Sequence, residues 1–153
     1  MLSGKLIRLI ETHQQEITNR LLRDIRLHPD FVHLRQVPES ELRERGQVIL
    51  DNLGYWLAAG NQEELAAKYE AIGKTRFEAS VPLHESVHAL CLIKQKMLDF
   101  VGEQGFHPDT LELYAEEELG YRVGRFFDLL VIHLVRGYET AWHKAELAAA
   151  ATA

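Results

Sequence analysis

Apolar residues recur every three or four positions along nearly the whole chain, and no stretch alternates with period two, so the pattern predicts an all-α protein. In a first helix Leu6, Ile10, Ile17, Leu21 and Ile25 share one face, with His13 set between Ile10 and Ile17. Ser3 supplies a cap and Pro29 a stop. A short turn over 30–37 carries Phe31 and Leu34 inward. A second helix starts around Pro38 to Ser40, buries Leu42, Ile49, Leu53, Trp56 and Leu57, and is closed by Gly60. Asn61 followed by Glu64 reads as a capping box for a third helix to about Ala79, with Leu65, Tyr69, Ile72 and Arg76 on one stripe. Pro82 opens a fourth helix to about Gly102, burying Leu83, Val87, Leu90, Met97 or Leu98, and Val101. Gly105 and Pro108 punctuate the next loop, and Asp109 caps a last helix reaching about Leu147.

That last helix is apolar over more than one stripe: Leu119, Val123, Phe126 and Leu130 on one, Phe127, Val131, Leu134 and Tyr138 on the next. So wide an arc needs a second partner besides its own core. The expectation is a homodimer packed through the last two helices, with Gly120 and Gly124 permitting close approach and Phe127, Val131, Leu134 and Tyr138 in the interface. Residues 1–147 form a single domain, and the alanine-rich 148–153 is expected to fray for want of anything to bury.

Composition narrows the function classes. The 153 residues suit one domain. A net charge of -6, with a Glu116-Glu117-Glu118 run, disfavours a phosphate backbone as partner, so no nucleic acid is expected. Lys5, Arg8 and Glu11 interrupt the first apolar stretch, and the run from Leu129 to Val135 is far shorter than the roughly 20 residues of a membrane span. With the single Cys91 unable to pair within the chain, these features predict a soluble, cytoplasmic protein with no membrane partner.

One stretch carries a catalytic-looking motif: His84-Glu85-Ser86-Val87-His88, an HExxH. On a helix the two histidines share a face and could chelate zinc while Glu85 polarises a water. With eight histidines in a glutamate-rich chain, however, a chance match arises in roughly one such sequence in twenty, a false-positive rate the motif has to overcome. A peptidase also needs a third ligand, and only the exposed Glu116–Glu118 run offers one. The motif sits in the first turn of its helix, and no strand is readable to hold a peptide. His84, His88 and Cys91 also line one stripe as a candidate soft-metal set; the ordinary reading is a helix face with two satisfied histidines and a small buried thiol. His133 reads as a core histidine, and Trp56 and Trp142 as core or interface anchors. Arg20, Arg23 and Arg26 read as a solvated face.

The frame around the motif resembles a sensor globin. Ile72-Gly73 is followed three residues later by Arg76, where haem-binding members carry the proximal histidine, and Ser80-Val81-Pro82 stands where they have a G-[IV]-P link. Arginine offers no lone pair to iron. Arg76, Val81, Pro82, Leu83, Glu85, Ala89 and Leu90 are similar to the signature of non-haem sensor globins, the N-terminal domains of RsbT co-antagonists of the RsbRD type. Ser80 departs from that pattern, which usually has glycine. The resemblance implies a globin-like bundle of five to six main helices and a non-catalytic, cofactor-free, dimeric regulatory domain in bacterial stress signalling. Such a domain relays a small apolar ligand or a signalling partner through its last helices. It places Arg76 and Glu85 face to face near Pro82 as an ion pair fixing the junction of the third and fourth helices. The rival expectation is a haem or metal sensor using His84, His88, His133 or Cys91; the least favoured is the zinc peptidase.

Overall fold

The computed structural model describes residues 3–58, 60–104 and 110–152. The all-α expectation is met. The chain forms α1 (Gly4–Thr12), α2 (Gln14–Leu27), a 3₁₀ turn (Leu34–Gln36), α3 (Glu39–Leu50), α4 (Leu53–Leu57), α5 (Gln62–Glu78), α6 (Leu83–Glu103) and α7 (Thr110–Thr152), with no strand among the described residues. The expected loop residues Gly105 and Pro108 and the cap Asp109 lie outside the described residues.

Two of the expected helices are broken. The first divides at His13, whose Nδ1–H donates to the Leu9 carbonyl at 2.9 Å and whose ring packs on Phe100. The Leu9 carbonyl accepts from both the ring and the His13 backbone N–H there, and the helix divides. The break leaves Ile10 and Ile17 both fully buried. The second divides at Asp51 and Asn52, turning α4 back against α1, where Glu11 accepts a hydrogen bond from the Gly54 N–H at 3.2 Å.

Two expected caps are used otherwise. Ser3 makes no side-chain cap. It is wholly buried, its N–H donates to Glu118 and its Oγ accepts from Arg122, so it ties the N-terminus to α7. The Asn61–Glu64 capping box does not form, because both side chains turn to Tyr55: Asn61 Nδ2 donates to its carbonyl and Glu64 accepts from its hydroxyl.

Helix α7 is the spine. At 43 residues it is about 65 Å long, and it packs on α5, α6, α1 and α4. Its wide apolar arc is thereby accounted for inside one chain: Leu119, Val123, Phe126 and Leu130 are buried, and so are Phe127 and Leu134. The stretch 148–152, expected to fray, is helical, as alanine's high helix propensity allows even without burial. Among the described residues no helix is long and apolar enough to cross a membrane.

The tightest packing lies where α7 crosses α5. A β-carbon at Gly73 would fall 2.1 Å from the Leu134 carbonyl oxygen, and one at Gly137 would fall 2.0 Å from that of Glu70. Only glycine permits the two backbones to meet so closely. Gly120 and Gly124, the pair expected to provide close approach, have open space around them.

Candidate functional site

The α5–α6 junction gathers the residues that the sequence marks. Helix α5 ends in a left-handed cap: the Ser80 N–H donates to Phe77, the Val81 N–H reaches back to Arg76 at 2.9 Å, and Ser80 adopts φ 59°. Glycine usually takes that conformation, and Ser80-Val81-Pro82 forms a helix stop followed by a proline start. Pro82 then leads into α6, and the Tyr138 hydroxyl donates to the Val81 carbonyl at 3.1 Å, fastening the junction to α7.

Arg76 and Glu85 do not pair. Arg76 is buried at the end of α5 and reaches Glu41 of α3 at 3.3 Å. Burial lowers its pKa, and Glu41 works against that shift. Glu85, only 1% exposed, has different partners. Its Oε1 accepts from the backbone N–H groups of His33 and Leu34 at 2.9 and 3.0 Å, and its Oε2 lies 2.8 Å from His33 Nδ1. Burial alone would raise the Glu85 pKa; the hydrogen bonds from Leu34 and His33 outweigh it and hold the carboxyl below its ordinary value. Two helices leaving one tight turn point these side chains to different neighbours, which spacing alone does not reveal.

This geometry removes Glu85 from zincin chemistry, since both its oxygens are engaged in anchoring the α2–α3 connector. His84 is exposed, and His88 Nδ1 lies 3.3 Å from Asp30 Oδ2. Cys91 is exposed, contrary to the expected buried thiol, because its position on α6 turns away from the core. His133 Nδ1 lies 3.5 Å from Glu70 Oε2, too long for a hydrogen bond, and is buried without a partner. Trp56 is a core anchor whose indole N–H donates to the Val48 carbonyl; Trp142 is exposed.

Beside Arg76 lies a cavity of about 60 Å³ lined by residues of α2, α3, α5, α6, α7 and the 3₁₀ turn. Its walls are chiefly apolar, with Leu21, Ile49, Ile72, Leu90, Ile93 and Leu134 prominent. Ser86 Oγ lines it and has no hydrogen-bond partner among the described residues. Tyr69 also lines it, its hydroxyl pushed by burial well above the ordinary ionising range despite the nearby Arg45. The space exceeds the roughly 10–15 Å³ one water needs and falls well short of the ~150 Å³ that takes benzene. It is smaller still than the roughly 300–1,000 Å³ of a typical cofactor site, and no histidine or cysteine lines it.

The expected dimer residues divide. Phe127 and Leu134 are buried within the chain, Tyr138 is half-buried and bonded to Val81, and Val131 packs against the core. Within the chain these residues serve α7's own contacts, with Val131 and Tyr138 remaining partly exposed. Gly120 and Gly124 are half-buried beside a different, outward face carrying Tyr114, Tyr121 and Ile132. The partners Glu41, His33, His28 and Asp30 escaped the sequence reading because they meet α5 and α6 only through the tertiary fold. Compared with known proteins, the chain matches no family model, no curated protein and no solved structure.

Proposed function

We propose that the chain is a non-catalytic regulatory domain of the non-haem sensor-globin kind that its sequence resembles. It admits a very small, mainly apolar molecule between α5 and α6 and relays its presence along α7. One observation carries this reading: the cavity with its unpartnered Ser86 hydroxyl is walled by Ile72 and Leu134, which flank the glycine crossing of α5 and α7. An occupant that presses on either side chain acts on two backbones already in contact, and such packing shifts rather than compresses. Beyond Ala141 every described residue of α7 is exposed, so the helix carries the shift out of the body.

Self-association, if it accompanies the relay, uses the outward face of α7. There Tyr114, Tyr121 and Ile132 lie within about 20° of one another round the helix. Sedimentation velocity showing a strict monomer would remove that element.

The size of the cavity makes xenon a suitable probe. Methyl NMR spectra under xenon pressure should show saturable shifts at Ile72, Leu90, Ile93 and Leu134. Spectra unchanged at those methyls would sink the ligand-relay reading.

A further inference from the structure

His28, Asp30 and His88 converge where α2 ends against α6, and each offers one ligand atom within 4.8 Å of the other two. They come from separate places. His28 follows the last residue of α2 in extended backbone, Asp30 sits in the turn beyond Pro29, and His88 stands in the second turn of α6. Phe31, wholly buried, forms the floor: its ring centre lies 4.8 Å from that of His88 and 5.5 Å from that of His28. The two imidazoles meet edge-on at 5.1 Å. The Asp30 backbone N–H donates to His28 Nδ1 at 3.1 Å, a bond that a metal ion bound at that nitrogen would replace.

We infer that these three residues form a binding site for a divalent first-row transition metal of the zinc class. Two neutral imidazoles and a carboxylate are a donor set that such ions accept. At metal–ligand distances of about 2.0–2.1 Å, tetrahedral ligands stand roughly 3.4 Å apart, so side-chain movements of about 1 Å close the present spacing. The side chains of His88 and Asp30 are 35% and 53% exposed, so packing does not oppose that rotation. Neither His84 nor Cys91 belongs to the cluster, so the expected helix-face set on α6 gives way to one that bridges two helices.

Three protein ligands leave a fourth position for water, but Glu85 is already engaged and supplies no base beside it. The site is therefore a staple and not a hydrolytic centre. It would pin the α2–α3 connector to α6 from outside, while Glu85 grips the same connector from inside at His33 and Leu34.

Calorimetric titration of the chelator-treated chain with zinc chloride alone reads stoichiometry and affinity, and thermal melting reads the staple. The expected result is one zinc per chain and a raised Tm. His28→Gln and His88→Gln should each weaken binding at least about tenfold, while His84→Gln and Cys91→Ala leave it in place. In the unmodified chain, the ring resonances of His28 and His88 should respond to zinc before those of the other histidines, a readout that does not depend on any variant folding. No stoichiometric uptake, a site that survives His28→Gln, or a different histidine pair responding first would each overturn the assignment.

Discussion

Glu85 shows how one buried carboxylate can organise a connector. It satisfies two backbone N–H groups that open the 3₁₀ turn, and neither has another acceptor among the described residues. Replacing it with alanine should cost about 3 kcal/mol in urea unfolding, because the buried Leu34 donor and the part-buried His33 donor both lose their partner. Its folded-state pKa lies below the unfolded value, so its contribution is complete above about pH 4.5 and is lost as pH falls through the lowered value. Urea titrations between about pH 5 and about pH 3 should therefore show a steeper loss of stability in the wild type than in Glu85→Gln. A parallel pair of profiles would mean that the carboxylate is not what the turn needs. Ser80 makes the opposite case, a residue that strains its site. An L-residue in the left-handed region costs about 1–2 kcal/mol, part of which glycine forfeits through its freer unfolded chain. Ser80→Gly should raise stability by about 1 kcal/mol, and a loss on thermal melting would contradict the cap described for α5.

At the scale of elements, the crossing of α5 and α7 is the constraint that the rest of the bundle accommodates. Gly73→Ala or Gly137→Ala places a methyl inside a neighbouring carbonyl's radius, and relief requires the helices to separate. Each should cost about 3 kcal/mol or more, measured by chemical unfolding, whereas Gly120→Ala and Gly124→Ala should be neutral or slightly stabilising because alanine favours helix there. Most helices were legible from apolar spacing: Leu65, Tyr69, Ile72 and Arg76 form the buried stripe that their period predicts. The breaks at His13 and Asp51 were not, since each depends on a partner in another helix. The width of α7's apolar arc was also read correctly. Helices α5 and α6 cover much of it, and spacing alone does not separate an internal partner from a second copy. Gly73 stood in a recognised pair, but its reason appears only when Leu134 is placed opposite.

On the scale of the whole molecule, a small cavity, a glycine crossing and an outlying helix lie in series. Ser86 and Leu134 bound the cavity, Leu134 touches Gly73, and α7 continues past Tyr138 into solvent. The candidate site was only partly legible: the resemblance to sensor globins marked Arg76, Pro82 and Glu85, while the cavity beside Arg76 depends on side chains from five helices at once. The central claim is that filling this space moves the distal part of α7. Ser86→Val fills it without a ligand, replacing the unpartnered hydroxyl with methyl groups against apolar walls. Hydrogen exchange along α7, compared between Ser86→Val and the wild type, tests the coupling most directly. The account predicts altered exchange from Leu134 through Ala141, with the stretch around Glu116 unchanged; exchange identical throughout α7 in a folded Ser86→Val chain would contradict it.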